Sequence, residues 1–314
     1  MDESNKNKEG NKKIILFALA ILLVASVSFL AGQYAKDGKK SGSDVAGSSQ
    51  SAGQQPQASQ DTQALTAKVL PQEGVEIPAV WGDLGKQLTN AGVIDEDAFK
   101  SIYSQRGGLS AEEEKILSGS GNGKIKITQD NANFILNMLW ALGLGNKNDI
   151  LDNGEMANPQ YGGAGGFAST GGWTLAKGNA MSYYSKFKFI TLTASQQALV
   201  DKVSKNIYRP CCGNSTHFPD CNHGMAMLGL LELMASQGVG EQDMYKAALA
   251  VNSYWFPDTY LTIASYFKDQ GTDWSSVDAK TALGAEYSSS SGYQQVLRKT
   301  QPQSAPSGGG GCGV

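Results

Sequence analysis

The segment 210–224, with the sequence PCCGNSTHFPDCNHG, constrains this chain more than any other stretch. It contains both histidines and three of the four cysteines of a 314-residue sequence. Thiolate and imidazole side chains bind soft and borderline metal ions, and cysteines also form disulfides and exchange thiols. The chemistry of the chain is therefore expected in this segment. The candidate metal ligands are Cys211, Cys212, Cys221 and His223, with His217 as an alternate or outer ligand.

Three interpretations of this cluster remain open at the level of the sequence. The first is a site for zinc, copper or iron, although the spacing is not that of a zinc finger. The second is a disulfide between Cys221 and either Cys211 or Cys212, which closes a loop of about ten residues and stabilises the fold by about 2–3 kcal/mol. The third is a reactive cysteine that exchanges thiols.

The start of the following helix decides which side chains can meet. Residues two apart on a helix point about 200° from one another, so Cys221 and His223 share a metal only if the helix begins at or after Asn222. Asn222 is a favourable N-cap residue. If Asp220 is the cap instead, Cys221 lies in the first turn, where the helix dipole favours a reactive thiolate. The metal interpretation therefore predicts a helix that begins at Asn222 or later.

The cysteines belong to a longer pattern of about 17 residues. The residues concerned are Tyr208-Arg-Pro-Cys-Cys-Gly, then His217, Asp220-Cys221 and His223-Gly224. In this order, ahead of a helix, they resemble the PCYCGC-motif proteins of bacterial cell envelopes. The chain has neither the third clustered cysteine of that motif nor its later cysteine. The resemblance implies an anchored, extracytoplasmic protein and suggests that it binds metal.

Apolar periodicity predicts a mainly α-helical single domain over residues 75–300. Stripes with helical spacing run over 134–142, 199–207 and 244–255, and Pro257 is expected to end or kink the third helix. The run 225–234 is apolar nearly all round, which is typical of a buried central helix. Capping boxes start at Ser110 and Thr193, and 124–128 is the one short alternating stretch.

A Gly-rich stretch, residues 158–177, interrupts the helical pattern. It carries Tyr161, Phe167 and Trp173, so it has aromatic side chains to bury and is expected to be ordered. It does not form a phosphate-binding loop, because Gly178 follows Lys177 where that motif requires a hydroxyl residue. Long loops inside compact domains are often functional, and we expect this one to pack beside the cysteines.

The N-terminus predicts a membrane anchor. Residues 14–32 carry no charge, and as a helix they are about 28 Å long, enough to cross the hydrocarbon layer. We assign 1–13 to the cytoplasm and 14–34 to a single transmembrane helix. Lysines lie on both sides of this span, and the default orientation places the large domain outside the cell. A cleaved signal peptide is the alternative.

Low-complexity segments flank the predicted domain. Residues 35–74 are rich in Ser, Gly and Gln and are predicted to be a disordered linker, because they have little apolar surface to bury. Residues 301–314 form a Gly-rich tail that contains Cys312. Ten flexible residues reach about 17 Å, so Cys312 could visit the cluster as a mobile ligand.

These features combine into one functional prediction. The chain is expected to be a single-pass, membrane-anchored, extracytoplasmic protein that binds zinc, copper or iron for sensing, storage or transfer. The alternatives are a disulfide-stabilised structural or interaction domain of the cell surface and a thiol–disulfide oxidoreductase. A metal or redox donor protein is the expected partner. The net charge of −3 argues against nucleic acid, and no residue pattern specifies a reaction.

Overall fold

The computed structural model describes residues 55–300 of the chain. They belong to one compact unit that begins at Gln55. Within this range no helix is both long and apolar enough to cross a bilayer. The predicted anchor at 14–34, the segment 1–13 and the tail with Cys312 lie outside the described residues.

The described residues are mainly helical, as predicted, with thirteen α-helices and one two-stranded sheet. In chain order the elements are α1 Gln55–Val69, β1 Val75–Gly82, α2 Leu84–Ala91, α3 Glu96–Ser104, α4 Ala111–Ser118, β2 Asn122–Ile127, α5 Ala132–Gly145, α6 Asp149–Asn153, α7 Ala194–Ser204, α8 Asn222–Ser236, α9 Glu241–Trp255, α10 Pro257–Asp269, α11 Ala279–Leu283, α12 Ala285–Ser288 and α13 Ser290–Thr300. Short 3-10 turns cover Glu155–Ala157, Pro159–Tyr161, Ala164–Gly166, Ala180–Ser182 and Trp274–Ser276.

Helices α5 and α8 form the centre of the core. All residues of α5 except Asn133 are buried, and so are most residues of α8, which confirms the prediction for 225–234. The two helices touch at glycines: a Cβ on Gly143 would lie 2.1 Å from the carbonyl oxygen of Met225. The absence of a side chain at this crossing therefore allows direct backbone contact.

The other helix predictions are also confirmed. The three apolar stripes correspond to α5, α7 and α9. Both capping boxes are formed, at Ser110 with Glu113 and at Thr193 with Gln196. Helix α9 ends at Trp255, and Pro257 occupies the first turn of α10.

The sheet contains one strand that the sequence did not predict. The alternating stretch 124–128 falls in β2 except for its last residue, Thr128, and β2 pairs antiparallel with β1. In β1, Ile77, Ala79 and Trp81 are buried in alternation. Pro78 obscures this pattern, because proline disfavours a regular strand. The register shifts between Glu76 and Val80, on either side of Pro78.

The predicted disordered linker differs from the structure over its second half. Residues 55–69 form α1, and both Val69 and Leu70 are only 4 % exposed. Lys68 pairs with Asp273, and the Tyr254 hydroxyl donates a hydrogen bond of 2.7 Å to the carbonyl of Pro71. The few apolar side chains of this stretch are thus sufficient to dock it on the domain.

One charged residue, Glu232, lies fully buried in α8. The side-chain amide of Asn146 donates to one carboxylate oxygen at 2.9 Å, and that of Asn148 donates to the other at 2.5 Å. Burial raises the pKa of Glu232 to about 8, against the lowering effect of these two hydrogen bonds. The cluster ties α8 to the segment that follows α5.

Candidate metal site

Helix α8 begins at Asn222, and the residue that caps it is Cys221. The Cys221 sulfur accepts a hydrogen bond of 3.5 Å from the backbone N–H of Gly224. The sequence had suggested Asn222 or Asp220 as the cap, and both suggestions are wrong. The geometric condition is nevertheless met, because Cys221 precedes the helix and His223 lies in its first turn.

Three of the predicted ligands converge. The Sγ of Cys211 lies 3.6 Å from the Sγ of Cys221 and 4.0 Å from the Nδ1 of His223, and the three atoms lie within 4.8 Å of one another. Two thiolates on one tetrahedral zinc, each at about 2.3 Å, are about 3.8 Å apart. A disulfide requires about 2.05 Å. The cysteines are therefore unbonded, at a separation that suits a shared metal ion.

Cys212 also contacts groups outside this set. Its thiol lies 3.7 Å from Oδ1 of Asp220 and 3.9 Å from the carbonyl oxygen of Asn214. Together with Asp220 and Cys221 it forms a second set of three donor atoms within 4.8 Å of one another. Cys221 is the one member common to both sets.

A buried arginine supports Cys221. Arg209 is 1 % exposed, and its Nε donates to the Cys221 sulfur at 3.0 Å. Its other nitrogens donate to the carbonyl oxygens of Asn214 and Phe218, both at 3.1 Å, and to the carboxylate of Asp220. A buried charge is tolerated only when it is paired and hydrogen-bonded, and Arg209 meets both conditions. The guanidinium thus fixes Cys221 relative to the rest of the loop.

Gly224 makes room for this arginine. A Cβ at Gly224 would lie 2.5 Å from the Cζ of Arg209. Any side chain there would therefore displace the guanidinium from Cys221. The His223-Gly224 pair thus provides one candidate ligand and the space that the guanidinium of Arg209 occupies.

The thiols differ in their proton affinity. Hydrogen bonds from Cys211 and Cys212 lower the pKa of Cys221 well below its usual range, and the charge of Arg209 acts in the same direction against burial. Hydrogen bonding to Cys212 and Cys221 raises the pKa of Cys211. Cys221 therefore has the lowest pKa of the three thiols. Metal binding would then release a proton from Cys211, because a thiol must be deprotonated to act as a ligand.

The cysteine loop, residues 208–221, is held by several elements. The backbone N–H of Tyr208 donates to Leu283 at the end of α11, and that of Ser290 in α13 donates to Cys212. The side chain of Asn252 in α9 donates to the carbonyl of Tyr208 at 3.1 Å. These contacts give the loop a defined conformation although it contains no helix.

The Gly-rich stretch 158–177 packs beside the cysteine loop, as predicted. The rings of Tyr161 and Phe167 each lie 5.4 Å from the ring of Phe218. The backbone N–H of Ser169 donates to the carbonyl of Asp220 at 3.1 Å. The stretch thus forms one wall of the candidate site.

His223 lies against aromatic rings on its other side. Its ring centroid is 4.4 Å from that of Phe256 and 5.6 Å from that of Trp255. All four candidate ligands of the loop, Cys211, Cys212, Cys221 and His223, are partly exposed. The residues of the group are thus not sealed inside the core.

His217 does not join the group, contrary to its predicted role. Its Nε2 lies 2.8 Å from Asp201 and its Nδ1 lies 3.3 Å from Glu155. Both ring nitrogens therefore face carboxylates, and neither metal-ligand set of the described residues contains His217. The side chain links α7 to the region after α6. The remaining predicted ligand, Cys312, lies outside the described part of the chain.

Sequence reasoning missed Arg209 and the carboxylate of Asp220. Both residues stand within the pattern that resembles the PCYCGC motif, but neither was predicted to be a ligand or to support one. The available signal was a charge pair, because a basic residue shortly precedes Cys211 and an acidic residue directly precedes Cys221, ahead of an apolar helix. Such a pair is expected to be buried with partners if the loop packs on the domain.

Comparisons with protein families, curated proteins and solved structures find no match for this chain. The resemblance to the PCYCGC-motif proteins stays a prediction. Function is therefore inferred from the site itself.

Proposed function

We propose that this chain is a soft-metal-binding protein that senses, stores or transfers zinc, copper or iron. The observation that carries the proposal is the convergence of two sulfurs and one imidazole nitrogen, from Cys211, Cys221 and His223, within 4.8 Å of one another. Thiolate and imidazole ligands select these ions over calcium and magnesium, which prefer oxygen.

The surroundings favour exchange of the ion over a purely structural role. The ligands are partly exposed, and the described loop is already held by Arg209 and by contacts to α9, α11 and α13. Three protein ligands also leave a fourth position free for a ligand from outside.

The location of this domain is part of the proposal. Residues 14–34 would anchor the chain in the cell membrane, with the metal-binding domain on the extracytoplasmic side and the chain up to α1 as its tether. The uncharged stretch 14–32 supports this. In cell fractionation the full chain should sediment with membranes after an alkaline wash, and a chain lacking 14–34 should not. Protease added to intact spheroplasts should remove the domain, and its survival would contradict the orientation.

Elemental analysis of the untagged, full-length protein, purified under reducing conditions, tests the proposal. After incubation with Zn²⁺, Cu⁺ or Fe²⁺ and removal of free ions, we expect one ion per chain in the wild type. Cys211→Ser and Cys221→Ser should lose it, whereas the matched control Cys312→Ser should keep it. A wild type that retains none of the three ions, or a Cys221→Ser variant that binds like the wild type, would overturn the proposal.

A disulfide-stabilised domain is the second candidate, and the separation of 3.6 Å between the sulfurs of Cys211 and Cys221 favours it. Loss of two protons and two electrons to an oxidant would join these sulfurs without a large movement of the loop. Mass spectrometry of peptides from protein isolated without reductant distinguishes the two candidates. Metal binding predicts free thiols that become reactive when a chelator is added. The disulfide predicts a Cys211–Cys221 cross-link and no bound ion.

A further inference from the structure

The cysteine loop and the first turn of α8 contain two sets of candidate ligands that share one residue. The first set is Cys211, Cys221 and His223, and the second is Cys212, Asp220 and Cys221. Within each set the donor atoms lie close enough together to surround one ion. The first offers two sulfurs and a nitrogen, and the second offers two sulfurs and an oxygen.

The two sets share the sulfur of Cys221, so ions in the two sets would compete for it. The Cys221 sulfur already accepts hydrogen bonds from Arg209 at 3.0 Å and from the backbone of Gly224 at 3.5 Å. A thiolate can bridge two ions, but a second ion here would have to replace one of these hydrogen bonds. Two cations on the Cys221 sulfur would also repel one another and the buried guanidinium of Arg209. The two sets therefore compete for one ion.

The second set is accessible in its present conformation. Both oxygens of Asp220 accept hydrogen bonds, one from Arg209 and the other from Asn214 at 2.9 Å. A carboxylate has about four lone-pair positions, so each oxygen can still bind an ion. The side chain of Asp220 is 20 % exposed, and Cys212 is within 3.7 Å of it. The second set thus keeps free lone pairs on a partly exposed carboxylate, although Arg209 also contacts Asp220 and Cys221.

We propose that the site has two alternative metal positions with Cys221 as their common ligand. The two-position proposal rests on the proposed function and adds a route by which the ion enters the site and moves within it. The set with oxygen is the entry position, because a carboxylate is a harder ligand and holds a soft ion less strongly than imidazole does. The set with His223 is the holding position.

Passage between the two positions is a ligand exchange. The bonds from the ion to Cys212 and Asp220 break, those to Cys211 and His223 form, and the bond to Cys221 is kept. Cys211 gives up its proton when it binds, and the neighbouring Cys212 takes up a proton when it is released. No electrons are transferred, so the step needs no oxidant or reductant. Reversal of the same exchange delivers the ion to an acceptor.

Cobalt(II) provides a test, because its absorption spectrum reports sulfur ligands and distinguishes their partners. The protein is the reduced, untagged full chain with Cys312→Ser, so that the tail thiol does not contribute. His223→Ala disables the holding position, and Cys212→Ser disables the entry position. Cys221→Ser disables both, as does the double variant His223→Ala/Cys212→Ser. Circular dichroism and thermal unfolding confirm that each variant is folded, and His223→Gln replaces His223→Ala if the latter is not.

We expect the wild type to bind one equivalent of cobalt. Its absorption spectrum should match that of the cobalt-loaded Cys212→Ser variant. The His223→Ala variant should also bind one equivalent, with a different spectrum and an affinity at least about tenfold lower. Both Cys221→Ser and the double variant should bind none. After rapid mixing, the wild type should pass through a transient spectrum like that of His223→Ala, and Cys212→Ser should not.

Two results would overturn the two-position proposal while leaving metal binding intact. One is a His223→Ala variant that loses cobalt as completely as Cys221→Ser, since a single position would then exist. The other is a wild type that binds two equivalents, since the positions would then fill independently. A folded wild type that binds no cobalt, zinc or copper would contradict the proposed function itself.

Discussion

At the scale of single residues, Arg209 determines the geometry of the candidate site. It brings a buried positive charge to the sulfur that both ligand sets share. The same guanidinium holds Asp220 and two backbone carbonyls of the cysteine loop. A change at Arg209 or in the space it occupies should therefore alter the loop and the reactivity of Cys221 together.

Replacement of Gly224 by alanine tests this dependence. The added Cβ would lie 2.5 Å from the guanidinium carbon, so Arg209 must move and leave Cys221 without its donor. We expect the free energy of unfolding to fall by about 1–3 kcal/mol, measured in urea, and the metal affinity to fall with it. Gly213→Ala in the same loop is the matched control, because nothing lies within 4 Å of its Cβ, and it should change stability by less than about 0.5 kcal/mol. Equal effects of the two substitutions would refute the role given to Gly224.

The buried carboxyl of Glu232 predicts a pH dependence of stability. Its pKa is about 8 in the folded chain, against 4.5 for an ordinary glutamate. Between these values the folded chain keeps a proton that the unfolded chain has lost, so the free energy of unfolding falls as the pH rises. The contribution of Glu232 to the free energy of unfolding is fully present below pH 4.5 and is lost as the pH rises through about 8. Its size is on the order of 5 kcal/mol.

Urea denaturation of the wild type and of Glu232→Gln at several pH values measures this slope. The variant should lack the decline, because glutamine does not titrate. Glu286→Gln, at an exposed position in α12, should keep it. Parallel profiles for the wild type and Glu232→Gln would show that Glu232 does not set the pH dependence.

At the residue scale, the candidate ligands could be predicted from the sequence, but the residues that hold them in place could not. The cysteines and His223 were found because they are rare and clustered. Glu232 was visible as an acidic residue in an apolar run, yet its partners Asn146 and Asn148 lie more than 80 positions away. Local patterns carry no information about such contacts. His217 was grouped with the cysteines by proximity in sequence, whereas carboxylates from two other segments determine where its ring lies.

At the scale of elements, the crossing of α5 and α8 places the cysteine loop. Helix α8 starts at the site and runs through the core, so its position depends on close contact with α5 at Gly143. The two helices can approach at this point only if neither carries a side chain there. The site is therefore coupled to the most buried contact of the domain.

Gly143→Ala should destabilise the fold strongly. The new Cβ would meet the carbonyl oxygen of Met225 at 2.1 Å, and this is backbone, which cannot rotate away. We expect a loss of at least about 3 kcal/mol, at the upper end of overpacking effects, measured by thermal or urea unfolding. Gly123→Ala, in β2 with nothing within 4 Å, serves as the control and should change stability by less than about 1 kcal/mol. A Gly143→Ala variant as stable as this control would contradict the proposed packing.

Helices were predicted better than the strand and the linker boundary, for physical reasons. The buried face of a helix can be recognised from the spacing of its own apolar residues, as in α5, α7 and α9. The strand β1 is interrupted by Pro78, and its partner lies about 45 residues further on. Helix α1 is mostly polar, so its own sequence does not indicate a folded element. Its order is explained by the packing of Val69 and its neighbours on the domain.

At the scale of the whole molecule, the folded unit starts earlier than the sequence suggested. Removal of α1 would expose the surface on which Val69 is buried and would remove the ion pair of Lys68 with Asp273. Complete burial of one such side chain is worth about 1.5–3 kcal/mol. The start of α1 is therefore a better boundary for the domain than residue 70 or 75.

Two truncated chains measure this contribution. A chain that starts at residue 70 should be less stable in urea by about 2–4 kcal/mol than one that starts at 50, because it lacks Val69 and the rest of α1. The metal content per folded chain should be the same, since α1 does not contribute a ligand. Equal unfolding midpoints of the two chains would show that α1 does not stabilise the domain.

The central claim is that sulfur and imidazole from the cysteine loop hold one ion. X-ray absorption at the zinc edge of the loaded, full-length protein measures this most directly. We predict a first shell with at least two sulfurs at about 2.3 Å and one histidine nitrogen at about 2.0–2.1 Å, and loss of the histidine signal in His223→Ala. A first shell of oxygen and nitrogen without sulfur, or a shell unchanged in Cys221→Ser, would contradict the account.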